Sequence, residues 1–548
     1  METLRTDVLV IGGGGAGSRA AYEAKRFDAG LRVTLVVEGA YGASGSTTFV
    51  GSETLGINAP LGCADPTDSP QVYLADMLDT GLGLASEELC RVIAYEASDR
   101  VEELLALGVE FDRKDGRLLQ RKLSGCTKAR SLSCGGQTGV QIVRALKRAN
   151  EALGVTVYEH MRAVELIKQE GRVVGAICLR EGQTPVAVLG RAVVLACGGA
   201  GRLFRGNINP EGIKGDGFAM AYRAGATLTN MEFIQVGPGV VFPPIRFIIH
   251  SHMWRFIPRL LNKHGEEFLG RYCPAGVSPA DVLDLKAMSY PFSTRTDAKY
   301  LDIAIFKELM AGKGTERGGV YLDVTHVPRA ELTTKAPITY DTLLKAGVDL
   351  ASERVEIAPV VQSFNGGVRI DKDARTDVPG LFCAGEVSGG VHGADRPGGN
   401  NLIDSQVFGY RAGVSAAKEA IEAPVTWPDR VAEPEYAPCN DSLVRELQDL
   451  YYRHLTVVRD EAGLQKVLKR IEDLKERVCT PAGDIRDISL ANALAVGEMV
   501  ARSALLRRES RGTHYREDYP DIEPRFTRNI LVKRGEGPEM RVEWANQR

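Results

Sequence analysis

The run Gly12-Gly13-Gly14-Gly15-Ala16-Gly17 constrains what this chain can fold into more than any other stretch. Gly12, Gly14 and Gly17 fall on the fixed places of G-x-G-x-x-G. They follow a β-branched stretch, Thr6–Ile11, that reads as a buried strand, and they open an alanine-rich stretch, Ser18–Ala29, that reads as a helix. A second strand, Leu31–Glu38, ends on an acid 21 residues beyond Gly17. Two strands joined through a helix demand a parallel sheet. The glycines permit a tight turn and close approach of the backbone to a pyrophosphate, and the helix N-terminus offers unpaired N–H groups to it. Glu38 can accept hydrogen bonds from both ribose hydroxyls and repels a 2′-phosphate. A purely structural glycine turn would not require all four of these contextual features.

The choice between a nicotinamide and a flavin dinucleotide rests on a second glycine-rich region. Pro379–Glu386 reads as an apolar strand ending in Gly385-Glu386. The stretch His392-Gly393-Ala394-Asp395-Arg396-Pro397-Gly398-Gly399-Asn400-Asn401-Leu402 then leads into a helix that runs through Gly413. A second helix N-terminus here suits the polar edge of an isoalloxazine ring, where its partial positive charge favours negative charge on the ring.

Between these regions the chain is expected to be helical over about 71–108. Strands are expected at Val164–Leu179 and Val186–Leu195, around a turn at Glu181-Gly182. Pro238, Pro243, Pro244, Pro258 and Pro274 break the pattern over about 236–350. Pro424, Pro428 and Pro434 mark a linker, 441–510 has heptad-like helical spacing, and the tail beyond Pro520 reads as extended and polar.

The balance of 68 Lys+Arg against 71 Asp+Glu, a net charge of −3, gives no electrostatic support for nucleic-acid binding. The ten cysteines are scattered and form no CxxC, so an iron–sulfur cluster or closed zinc site on this chain is not expected, and no metal site is assigned. Reduced thiols, no signal peptide and no run of about 18 apolar residues lead to an expected cytoplasmic location. Any membrane attachment would come through a partner.

Taken together, Val10–Gly17, Ala196–Leu203, Gly215-Asp216-Gly217 with Met220–Phe233, Gly318–Val327, Val378–Gly413 and Arg508–Pro520 resemble the flavoprotein subunits of succinate dehydrogenase and fumarate reductase, with L-aspartate oxidase as a relative. The resemblance spans nearly the whole chain in the family's order. It implies an α/β fold: a Rossmann-like FAD-binding domain on a parallel sheet (1–235 and 351–425), interrupted by an α+β capping domain (236–350). A helical domain (440–520) and a C-terminal tail (521–548) follow. It implies FAD contacts from Gly12, Gly14, Ala16, Gly17, Glu38, Gly39, Ser46, Thr47, Gly51, Ala163, Gly198, Asp216, Glu386, Asn401 and Leu402. It also implies that the electron partner is an iron–sulfur subunit.

Departures from the family pattern shape the expected chemistry. Members that bind FAD covalently use a His in a Ser-His-Thr stretch. Here Ser44-Gly45-Ser46-Thr47-Thr48 has none, so FAD is expected to be non-covalent. The family's dicarboxylate-binding Gln-Phe-His-Pro-Thr-Gly is replaced by Gln235-Val236-Gly237-Pro238-Gly239-Val240, and Gln362 stands where a second substrate His is expected. His250-Ser251-His252-Met253-Trp254-Arg255 takes the place of a Thr-Glu-Ala-x-Arg-Gly-Glu-Gly stretch. Arg396 keeps the place of a substrate arginine, although pairing with Asp395 is the alternative. Arg295 is the loose counterpart of a proton-donating arginine, with a helix-start arginine as its bland reading. His250 and His252 alternate, so on a strand they would face one way, and His252 is a catalytic candidate among Phe247, Trp254 and Phe256. The expected activity is hydride transfer through FAD to or from a small anionic substrate other than succinate or fumarate. The alternative is an electron-relay subunit with no organic substrate of its own.

Overall fold

The computed structural model describes residues 1–548 apart from 49–54, 181–183, 242–246, 425, 434–438, 479–486, 536, 538 and 547–548. Its largest sheet has seven strands. Glu2–Ile11 lies at its centre, parallel to Val33–Val36 on one side and to Thr184–Leu195 on the other. Thr156–Tyr158 extends the parallel set beyond Val33–Val36, and Leu381–Cys383 pairs in parallel with the end of Thr184–Leu195. Val8, Leu9 and Val10 are fully buried, which is why this strand is apolar on both faces.

The sheet is mixed rather than parallel throughout. Met161–Gln169 and Arg172–Arg180 form an antiparallel pair at one edge. The expected single strand Val164–Leu179 is split there by a two-residue turn, in which Glu170 (φ 52°) and Gly171 (φ 80°) are both left-handed, as a primed hairpin turn requires. The expected turn at Glu181-Gly182 lies outside the described residues.

Two helices stack together on this sheet. Gly15–Phe27 and Asn400–Glu422 cross so closely that a Cβ at Gly409 would lie 2.8 Å from the Ala16 carbonyl oxygen, and one at Gly413 would lie 2.4 Å from that of Ala20. Only glycine fits there, and the contact brings both helix N-termini to the same end of the sheet.

A second, four-stranded antiparallel sheet runs Ile234–Val240, Val355–Phe364, Val320–Asp323, Arg259–Leu261 and carries its own core around Trp254, Phe268, Leu301 and Ile305. This is the capping unit. Val355–Phe364, expected on the dinucleotide side of residue 350, pairs with this sheet and spans both units: Val355 and Ile357 join the cap core, and Val361 and Phe364 join the core of the large sheet.

Helices Asp441–Leu455, Glu461–Val478 and Ile488–Leu506 follow. The last is apolar and long enough to cross a membrane by length and composition, but 72% of its apolar window is buried in the protein. Arg507, fully buried, ties it back by pairing with Glu232 at 2.7 Å and Glu509 at 2.9 Å. The tail expected to be extended and polar folds as a hairpin, Ile530–Arg534 with Met540–Trp544, which pairs with Leu228–Thr229. The apolar triplet Ile530-Leu531-Val532 drives this, all three side chains being buried.

Candidate functional site

One cavity of about 530 Å³ runs from the glycine turn to the capping sheet. At its first end the backbone does the shaping. Gly12 is left-handed (φ 114°), and a Cβ on it would lie 2.2 Å from the Ala196 carbonyl oxygen; a Cβ on Gly17 would lie 1.7 Å from that of Gly12. Gly14 is different: a Cβ there would meet nothing closer than Thr47 Oγ1 at 3.4 Å, because that face of the turn opens on the cavity. This is a cradle that a diphosphate fills and a side chain would block. The Gly15 N–H donates to Thr47 Oγ1 (3.1 Å), and the Ser46 hydroxyl donates to Asn209 Oδ1 (3.3 Å), which fixes the 44–48 segment over the turn.

Glu38 lines the cavity at the end of its strand and pairs with Lys214 at 3.1 Å. Asp216 also lines it, but its carboxylate is committed. Arg162 donates to both oxygens (2.7 and 2.8 Å), and Asn492 Nδ2 donates at 2.7 Å. Burial alone would raise the Asp216 carboxyl, yet the Arg162 charge and these bonds outweigh it and hold it below the ordinary range. Asp216 therefore positions Arg162, a wall residue that sequence reasoning missed because no motif carries it.

Midway along the cavity, Gly198 (φ 76°), Ala163, Gly39, Asn401 and Leu402 line the walls. Gly399 (φ 85°) caps the helix Asn400–Glu422, whose first turn holds no acid, so its positive dipole end faces the cavity uncompensated. Asn400 Oδ1 accepts from Asn58 Nδ2 and Tyr73 Oη, both at 2.7 Å, which locks that turn. Glu386, partly buried, accepts the Phe364 N–H at 3.0 Å. Burial pushes its carboxyl up to about 7 against the pull of that N–H and of Arg396. The residues present fit FAD: a diphosphate cradle, an acid at the ribose and a helix N-terminus where a flavin ring would lie.

The cap end is built from side chains. Arg396 is buried against the cavity. Its Nε and Nη2 donate to Gln235 Oε1 (3.1 and 2.5 Å), and Nη1 donates to the Pro397 carbonyl (3.1 Å). Ser363 Oγ donates to the same Gln235 oxygen at 2.9 Å. Burial lowers the guanidinium to about 10, while Asp395 and Glu386 support its charge. Tyr290 lies across Gly237, and its ring packs against His250 with the centroids 4.9 Å apart and the planes tilted by 45°. Tyr290, His250, Phe247, Ile248 and Gln362 all line this end.

Two expected catalytic residues do not reach the lining. The segment after His250 is a short helix, Ser251–Trp254, not a strand, so His250 and His252 point to different sides. His250 faces the cavity, and His252 places Nε2 3.1 Å from Thr339 Oγ1. Arg295 pairs with Asp79 and lies within electrostatic reach of Asp395, next to Arg396. Gly17 supports the turn from behind. Gly51 lies outside the described residues. Tyr290 carries no sequence signal, because only the close approach of its ring to Gly237 reveals its place.

Known proteins resemble the whole of this arrangement. The FAD binding domain family matches residues 7–402, and the fumarate reductase flavoprotein C-terminal family matches 444–546. A subunit of the fumarate reductase (CoM/CoB) of Methanothermobacter marburgensis is 37% identical over 98% of this chain and 99% of its own length. The L-aspartate oxidase of Streptomyces coelicolor is 31% identical over 97% of this chain and 92% of its own. Among solved structures, Mycobacterium smegmatis Sdh1 superposes with a TM-score of 0.84 at 32% identity, covering 100% of this chain and 94% of its own.

Proposed function

Because the chain belongs to the family of FAD-dependent oxidoreductases that holds fumarate reductase flavoproteins and L-aspartate oxidases, we propose that it acts on a small organic anion other than succinate or fumarate, with FAD held non-covalently. The observation that carries this reading is the state of Arg396. A guanidinium has five N–H donors; three here are committed to Gln235 and Pro397, which leaves one on each terminal nitrogen for a single carboxylate.

Bound FAD supplies a two-electron hydride donor or acceptor at its ring. The chain's residues do the rest. Gly12, Gly14 and the N-terminus of Gly15–Phe27 would hold the diphosphate. Glu38 would hold a ribose, and the N-terminus of Asn400–Glu422 would favour negative charge at the ring's polar edge. Gln235 orients Arg396, which orients the anion, and the capping unit with Phe247 and Ile248 excludes water from that end. Arg295, through Asp395, is proposed as a relay at the rim. Electrons would pass to or from an iron–sulfur subunit, with any cluster lying on that other chain, since the cysteines here are scattered.

The test is an anaerobic titration of the yellow protein with a panel of organic acids. Reduction or reoxidation of the flavin by at least one acid, but not by succinate or fumarate, is expected; equal turnover of fumarate overturns the substrate reading. Acid precipitation separates the second point: the yellow colour should stay in the supernatant, and colour in the pellet contradicts non-covalent binding.

A further inference from the structure

The cap end of the cavity holds two polar groups that the bonds around Arg396 leave unused. The Tyr290 hydroxyl has no hydrogen-bond partner among the described residues although Tyr290 is only 7% exposed, and Gln362 Oε1 is likewise buried without one. Both residues line the cavity with Arg396. An unpaired buried polar group costs about 1–3 kcal/mol, so two of them on residues that line one cavity mark a place where a ligand would complete the bonding. Tyr290 is fixed there from several sides. Its N–H donates to Ser124 Oγ at 3.1 Å, its ring lies 5.5 Å from the Lys286 ammonium on one side, and it packs at a tilt against the His250 ring. Burial keeps the phenol protonated far above its ordinary range, so it is a donor.

Charge is distributed unevenly. Lys286 is fully buried and spent on Asp302 at 2.6 Å. Among the described residues lining the cap end, Arg396 is the only lysine or arginine, and His250 is the only imidazole. A second carboxylate beside Tyr290 and Gln362 would be buried without a fixed counter-charge, which is strongly unfavourable. A neutral group with an oxygen acceptor and an N–H donor meets both orphaned groups at once.

We propose that Tyr290 and Gln362 determine specificity, and that the substrate is a monocarboxylate whose far end is a neutral amide-like group, the carboxylate lying on Arg396 and the neutral end on Tyr290 and Gln362. This rests on the reading of Arg396 as the anion site and names the class of anion. Gly237 is part of the device: a Cβ there would lie 2.5 Å from the Tyr290 hydroxyl, so glycine at 237 is what lets the phenol enter.

The experiment titrates the FAD-loaded, oxidised protein with fumarate, the trans monoamide of fumarate and crotonate, reading the shift of the flavin visible absorption at pH 8, above the ordinary imidazole range. The monoamide should bind about tenfold more tightly than either other acid, the equivalent of one good hydrogen bond. Tyr290→Phe and Gln362→Leu should each weaken the monoamide about tenfold while moving crotonate less than about twofold. Gly237→Ala should behave as Tyr290→Phe does, and unaltered crotonate binding reports that each variant is folded. Fumarate binding as tightly as the monoamide, or Tyr290→Phe leaving the monoamide unchanged, overturns this inference alone. Silence of a yellow protein towards all three acids overturns the anion site at Arg396, and this inference with it.

Discussion

The two ends of the cavity are made by opposite means. At the dinucleotide end, main-chain atoms from one short turn and two helix N-termini form the surface, and glycine is required because any side chain would occupy the ligand's place or strike a carbonyl. At the cap end, side chains from separate stretches (Tyr290, His250, Gln362, Arg396) converge, and glycine at 237 serves another residue's ring rather than a ligand. A backbone site is rigid and tolerates little change in sequence. A side-chain site can be rebuilt one residue at a time without disturbing the fold, and here it departs from the family pattern while the other end keeps it.

The sharpest way to break this comparison is Gly14→Val. Its Cβ would face the cavity and clash with nothing in the protein closer than 3.4 Å, and its φ of −75° suits any residue. FAD affinity should fall at least about 100-fold, the effect of about 3 kcal/mol, with the melting temperature of the apoprotein unchanged. Retained yellow colour would show that the turn is not the cradle. Arg396→Leu should do the converse: FAD retained, and turnover of any active acid lowered about 100-fold through loss of charge-assisted bonds.

A third measurement probes the boundary between the two ends. The Glu386 carboxyl, ordinarily near 4.5, is pushed up to about 7, mainly by burial. The folded apoprotein therefore holds a proton there that the unfolded chain releases between about 4.5 and 7, so stability declines as pH rises through that window. The decline amounts to on the order of 3 kcal/mol at 1.36 kcal/mol per unit. Glu386→Gln should remove this slope in urea melts of the apoprotein at pH 4.5 and pH 7.5; a parallel slope in the variant would assign it elsewhere. The smallest effect is expected from His252→Ala. Its imidazole bonds Thr339 away from the lining, so turnover should change less than about twofold, with at most about 1 kcal/mol of stability lost. A large loss of turnover would restore His252 as a catalytic residue.

What the sequence made legible follows the same division. The strand, glycine turn, helix and acid at Glu38 could be placed because each is local and repeats a fixed spacing. The helix through Gly413 could be placed for the same reason. The hairpin at Glu170-Gly171 was missed although the turn sits in a polar run, Lys168-Gln169-Glu170-Gly171-Arg172, because no proline marks the break. The C-terminal hairpin was missed because its partner, Leu228–Thr229, is some 300 residues away in sequence. At the site, His250 and His252 alternate as they would on a strand, but four residues of helix reverse one of them. Arg396 carried a motif, whereas Tyr290 owes its position to a distant glycine, and such a pairing leaves no periodic trace.

The close crossing of the two glycine-marked helices bears on biogenesis. Gln406 Nε2 donates to the Gly15 carbonyl across 391 positions of sequence. A ribosome delivers the chain from its N-terminus, so the opening turn emerges early and waits, half of its pocket missing, until the capping unit and then the second helix have followed. Cofactor capture is thus a late event in the life of each nascent chain, and truncation anywhere before that second helix yields a protein that owns the phosphate loop yet has nothing to close over it.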